Sequence, residues 1–177
     1  MALGLIITSN AMAYEEPSYE TIKSNKVYEI RKYSDRLAIE TTTSNQDSSF
    51  RKLFNYISGD NEKSEEIKMT IPVTQMEKKG KMTMQFYLPS KFNKDNVPNP
   101  SRSDVEIVNI EGGYYAVIRY SGRASDKNFI KHKEILENEL KKDNILIVGP
   151  AVKATYNGPF TLPKLRRNEA MFEVNWK

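Results

Sequence analysis

From Tyr28 onward the chain alternates apolar and polar side chains in short runs, interrupted twice by helical spacing. Val27 to Tyr33 has a period of two, Ser34-Asp35-Arg36 breaks it, and Leu37 to Thr42 returns as a β-branched run; a strand, a turn and a second strand are predicted. Phe50, Leu53, Phe54 and Ile57 then fall at i, i+3, i+4 and i+7, behind the capping residues Ser48 and Ser49 and ahead of Gly59, which predicts a helix. Two strands follow, 67–76 and 81–88, joined by Glu77-Lys78-Lys79-Gly80. The order then repeats. Val105 to Ile110 and Tyr114 to Tyr120 read as strands around Glu111-Gly112-Gly113. Ser125 opens a helix with Phe129, Leu136 and Leu140 on one stripe that ends near Asp143-Asn144, and strands 152–156 and 170–176 close the unit.

Glu29-Ile30 corresponds to Glu106-Ile107, and Leu37-Ala38-Ile39 to Tyr115-Ala116-Val117. The chain therefore reads as a duplicated strand-strand-helix-strand-strand unit, with pseudo-repeats at about 19–88 and 105–176. Between them, Pro89 to Asp104 contains Val97-Pro98-Asn99-Pro100, whose prolines deny a regular ladder. Each unit alone leaves an apolar sheet face open. The fold expected is α+β, a distorted antiparallel β-barrel with two flanking helices, forming one domain over residues 14–177.

The hairpin 67–88 has an unusual apolar face. Ile67, Met69, Ile71 and Val73 alternate with Lys68, Thr70, Pro72 and Thr74, and in the partner strand Met82, Met84, Phe86 and Leu88 alternate with Thr83, Gln85 and Tyr87. All eight apolar groups are expected on one side, with Pro72 marking an edge or a bulge. Methionine re-packs around irregular shapes and flat rings at small cost. The face is thus either a core with gap-filling methionines or the wall of a groove for a large apolar ligand, and spacing alone leaves both open.

Composition narrows the classes. No stretch of the 177 residues approaches the roughly 20 apolar residues of a membrane span. Residues 1–13 carry no charge and end in Ala11-Met12-Ala13 before Tyr14-Glu15-Glu16-Pro17, which predicts a short export signal and a periplasmic or secreted protein; a disordered N-terminus on a cytoplasmic protein is the alternative. The absence of cysteine removes disulfides, thiolate metal sites and cysteine nucleophiles. The net charge of +4 is mixed along the chain, and neither a helix-turn-helix nor RNA-stacking aromatics are found, so nucleic acid is not an expected partner. The G-x-S-x-G, H-E-x-x-H, P-loop and dinucleotide patterns are all missing, and no enzyme is expected.

Four spaced motifs resemble the SOUL, or haem-binding protein, family. Ile67 to Val73 is similar to its Met-Thr-x-Pro-Val signature. Phe86-Tyr87-Leu88-Pro89 with Val97-Pro98-Asn99-Pro100 resembles its strand and proline-rich linker. Tyr156-Asn157-Gly158-Pro159-Phe160 with Arg166-Arg167-Asn168-Glu169 resembles its C-terminal pair, and Tyr28 to Tyr33 its opening strand. The resemblance runs from about Tyr19 to Trp176 and implies a duplicated distorted barrel that binds haem or related tetrapyrroles in a hydrophobic groove between a helix and the sheet. It implies no reaction, so the expected role is that of a carrier or buffer, acting as a monomer. Some members carry a histidine on the opening strand proposed as an iron ligand; here that strand reads Arg31-Lys32-Tyr33.

With a tetrapyrrole as the ligand, Phe50, Phe54, Ile57, Met69, Ile71, Met84 and Phe86 are the candidates for its apolar contacts, core packing being the ordinary reading of the helix residues. Lys68, Arg166 and Arg167, with Arg51 and Lys52, are available to its propionates, although Arg166 and Arg167 equally suit a turn locked by Glu169. His132 is the sole histidine and the candidate metal ligand, with Met69 or Met84 behind it. It lies roughly 60° from the centre of its helix's apolar stripe, an edge position that also suits a structural residue. The duplicated unit also resembles effector-binding domains of transcription regulators, some relatives of which hydrolyse small molecules with a pocket glutamate. An effector-binding module is therefore the second reading, and Glu169 and Glu173 are the candidates for such a glutamate.

Overall fold

The computed structural model describes residues 14–43 and 46–176. The predicted export signal at residues 1–13 lies outside them. The elements in chain order are β1 (Tyr19–Ser24), β2 (Glu29–Tyr33), β3 (Arg36–Thr42), α1 (Gln46–Ile57), β4 (Val73–Lys78), β5 (Lys81–Tyr87), β6 (Glu106–Ile110), β7 (Gly113–Tyr120), α2 (Asp126–Lys142), β8 (Leu146–Ile147), β9 (Val152–Thr155), a 3-10 turn (Pro163–Leu165) and β10 (Asn168–Asn175).

All pairings between named strands are antiparallel. The order is β1-β2-β7-β10-β9-β4-β5-β3-β6, with β8 added on β10. Leaving β1 aside, this path reads the same from both ends once β2 is matched to β6, β3 to β7, β4 to β9 and β5 to β10. The symmetry is that of the duplicated unit, and each half lends its first strand to the other's sheet. The β4–β9 pair is the seam. The sheet curls into a half-barrel, with α1 on β3 and β5 and α2 on β7 and β10.

Three clusters fill it. Under α1, Leu53, Tyr56 and Ile57 meet Ile39, Met84 and Phe86; under α2, Leu136 and Leu140 meet Ile30, Ala116 and Phe172. The third lies on the concave face, where Tyr33, Tyr115, Val117, Tyr156 and Met171 gather. Local signals act as expected at several points. The Ser125 hydroxyl accepts the Asn128 amide at 3.3 Å to cap α2. Lys79 and Gly80, both at positive φ, make the two-residue β4–β5 turn. A Cβ on Gly112 would stand 2.6 Å from the Tyr33 carbonyl, so the approach of β2 to the β6–β7 turn requires glycine.

Three expectations are corrected. The strand at 67–76 joins the ladder only from Val73, because residues 70–71 pair instead with the N-terminal segment: Glu15 bridges Thr70, and the Ile71 amide donates to the Glu15 carbonyl at 2.9 Å. Its apolar face consequently divides, with Ile67, Met69 and Val73 against the α1 cluster and Ile71 against the concave one. Helix α1 starts before Ser48 and Ser49; Ser49 is buried inside it, its hydroxyl 3.0 Å from that of Thr43. Strand β1 went unpredicted because all six of its residues are exposed, leaving no buried face to imprint an alternation.

Candidate functional site

At the seam the two helices begin on either side of the sheet surface and leave a cleft of about 600 Å³ between them. Its floor is β4, β5 and β9, which present Gln75, Met76, Met82, Thr83, Met84 and Lys153. One wall is Ser49 of α1, and the other is Phe129, Ile130 and Lys133 of α2 with Pro150 and Ala151. Met82 and Met84 lie two residues apart on one face of β5, whereas Met76, opposite Thr83 in the register, packs against the concave cluster. Met82 and Ile130 are about half exposed, at 48% and 47%, whereas Met84 is buried at 4%. An exposed thioether and an exposed aliphatic side chain facing each other across a cleft form an apolar surface of the kind that marks ligand grooves. The cations at this cleft are Lys133 and Lys153; Lys153 is mostly buried, and its ammonium bonds the exposed Asp126 at 2.8 Å.

Of the residues singled out from the sequence, Met84 lines this cleft. Phe50 and Phe54 stack on each other at 6.0 Å as an exposed ledge on α1, and Phe50 rests edge-on against buried Phe86 at 5.2 Å. The buried stripe of α1 is rotated away from them, towards Leu53, Tyr56 and Ile57, because Tyr56 reaches through the core to donate its hydroxyl to the Pro98 carbonyl at 2.7 Å. Ile57 and Phe86 are core, Met69 is half buried against that core, and Ile71 lies on the opposite face. Lys68 is exposed on the non-ladder segment. Arg166 donates to the carbonyls of Thr161 and Pro159 and so closes its own loop. His132 stacks on Tyr120 at 4.0 Å and donates through Nδ1 to the Asn128 carbonyl at 2.8 Å, a structural setting on the flank of α2. No group of three or more His, Asp or Glu side chains suited to a metal occurs among the described residues.

The α2 wall escaped the sequence reading. Ile130 was its one visible signal, an apolar residue beside Phe129 but off the stripe of Leu136 and Leu140.

The concave face carries a different construction. Glu169, fully buried, accepts from Arg31 at 2.9 and 3.2 Å, from the Tyr156 hydroxyl at 2.7 Å and from Arg167 at 3.0 Å. Arg167 also grips Glu16 with two bonds of 2.9 and 2.7 Å. Burial, followed by the charge of Glu169, pushes the Tyr156 hydroxyl far above its usual value. Burial would lower the Arg31 guanidinium, but its bonds to Glu169 outweigh that and raise it. A carboxylate held by two guanidiniums and a tyrosine is committed to structure, which makes Glu169 unsuited to the role of a pocket base. Glu173 is partly buried further along the strand, near Gly113 and Gly149.

A curled antiparallel sheet with an open apolar cleft between two helices is the architecture of a small-ligand-binding domain. The chain belongs to the SOUL heme-binding protein family, whose model matches residues 14–173. "Heme-binding protein 2" of Mus musculus is 30% identical, the match covering 97% of this chain and 91% of the relative. Among solved structures, the EcmrR C-terminal domain has a TM-score of 0.64 at 12% identity, covering 89% of this chain and 98% of its own. A hydrolase from Listeria innocua has a TM-score of 0.59 at 10% identity, covering 87% and 94%. At such identities the likeness is one of fold, which by itself says little about function.

Proposed function

We propose that this protein binds haem or a related tetrapyrrole without transforming it, as a carrier or buffer, and that the seam cleft is where the macrocycle sits. The carrying observation is the wall of Met82, Met84, Phe129 and Ile130 around about 600 Å³, a volume within the usual roughly 300–1,000 Å³ of small-molecule sites. The aromatic ledge of Phe50 and Phe54 extends the apolar surface of α1. Lys133 and Lys153 are the cations at the cleft, and to meet two propionates they exchange their present partners Glu137 and Asp126. Covering a few hundred square ångströms of ring at ~25 cal/mol per Å² supplies several kcal/mol, enough for micromolar affinity after association costs. Membership of the family, and a relative named for binding haem, support this reading over an effector module or an enzyme.

The protein acts as a monomer in this proposal, and export through residues 1–13 belongs to it; a mature chain beginning at Tyr14, read by mass spectrometry, is the corresponding expectation. The function is tested by titrating haemin and following the Soret band. A saturable shift at micromolar haemin that persists in His132→Ala is expected. Absence of binding below about 100 μM, where a ligand holds only ~5.5 kcal/mol, contradicts it.

A further inference from the structure

Residues 15–18 cross the concave face beside the Val73–Thr155 end of the seam. The segment is pinned by backbone and side chain alike: the Glu15 carbonyl accepts the Ile71 amide at 2.9 Å, its carboxylate accepts the Ser90 amide at 2.7 Å, and Glu16 takes both arms of Arg167. Under this strap lies a void of about 10 Å³ bounded by Glu16, Pro17, Tyr33, Arg36, Tyr87 and Tyr156, among others, too small for more than a single water. Beside it opens a recess of about 420 Å³ that shares Glu16, Pro17, Arg36 and Tyr87. The strap's two side chains are the partition.

The groups it covers are unusual. The Arg36 guanidinium lies over the rings of Tyr33, Tyr87 and Tyr115 at 4.5, 4.8 and 5.8 Å. Its Nε is buried with no hydrogen-bond partner, and its Nη1 donates to the Ser34 carbonyl over a long 3.4 Å. Arg167 lies flat on Tyr156 at 3.7 Å. With Glu16 lifted away, Arg167 would keep its one bond to Glu169 and lose both bonds to Glu16, leaving a guanidinium fork shaped for a carboxylate without one.

We propose that the place filled by the strap, between the void beneath it and the recess beside it, is a second binding site, for a small aromatic carboxylate, and that Glu16-Pro17 is the chain's own stand-in for that ligand. The ligand's carboxylate replaces that of Glu16 on the Arg167 fork. Its ring replaces Pro17 among Tyr33, Tyr87 and Tyr156, with Arg36 over the aromatic cluster. The strap competes by mass action, so the affinity seen from outside is reduced by the fraction of chains in which it is raised. The ligand is chemically distinct from a tetrapyrrole, which exceeds the recess, and the site is independent of the seam cleft.

The test is calorimetric titration of the full chain with 2-naphthoate, without haemin. Glu16→Ala removes the strap's carboxylate from Arg167 and Pro17→Ala removes its ring from the aromatic cluster, and each is expected to bind the probe about tenfold or more tightly than the unaltered protein, with Arg36→Gln in the Glu16→Ala background weakening it again. Met82→Asp, in the seam cleft, is expected to leave probe binding unchanged. The proposal is overturned if neither strap variant binds 2-naphthoate more tightly than the unaltered chain, or if Met82→Asp weakens binding as much as Arg36→Gln does.

Discussion

The seam cleft is walled by thioethers and half-exposed aliphatic side chains, whereas the concave face of the same sheet is walled by tyrosines and guanidiniums held in fixed pairs. Both occupy surfaces that a curled sheet cannot cover with only two helices. In the first, the contacts are non-directional, and a methionine can change rotamer at little cost when a flat ring arrives. In the second, each polar group is satisfied by a particular partner, and losing one strands the others in a buried setting. The cleft can therefore re-pack, while the concave face holds the fold in one arrangement. Substitutions should accordingly separate stability from binding along this line.

The largest effect is expected at Glu169. Replacing it with alanine leaves Arg31 buried without its carboxylate, a loss of about 3–5 kcal/mol, read as a fall in Tm on the order of 10 °C or more for a chain of this size. A change under about 1 kcal/mol would mean that the network is dispensable and the contrast false.

Alkaline pH probes the same face and the α1 core together. Burial pushes the hydroxyls of Tyr33 and Tyr56 up to about 12, above the ordinary value near 10. A raised folded-state value favours the neutral side chain in the fold. This contribution is fully present below about pH 10 and disappears as pH climbs towards 12. Tm should be level from pH 8 to about 10 and then drop; a level profile through pH 12 contradicts the burial of these rings.

A smaller loss, about 1 kcal/mol, is expected for Tyr56→Phe, which leaves the Pro98 carbonyl without its donor; denaturant midpoints resolve it. Smallest of all is Met82→Leu at the rim of the cleft, where an exposed, volume-conserving exchange should alter stability by about 0.5 kcal/mol or less.

Much of the fold was legible because duplication, period and caps act locally. Ser125, the Lys79-Gly80 turn and the stripe of Leu136 and Leu140 each carry their own signal over a few residues. What the sequence did not disclose is what the interleaved sheet brings together. Arg31 meets Glu169 across 138 positions, and Arg167 meets Glu16 across 151. Met82 and Met84 share a cleft with Ile130 only because β4 pairs with β9 at the seam. The alternation of Ile67 to Pro72 matches a ladder strand, yet Glu15 takes that backbone instead, a pairing no local pattern announces. The aromatic residues of α1 misled in a similar way: Phe50 and Phe54 fit the helical stripe, but Tyr56 has a buried acceptor to reach and turns the helix towards itself.

The adaptable cleft is tested most directly by titrating haemin into the double variant Met82→Asp/Ile130→Asp, both sites being about half exposed and outside the core. A loss of affinity of at least about tenfold, ~1.4 kcal/mol, with an unfolding midpoint within roughly 0.5 kcal/mol of the unaltered protein, is the predicted result. Undiminished haemin binding in that variant would contradict the account and move the ligand away from the seam.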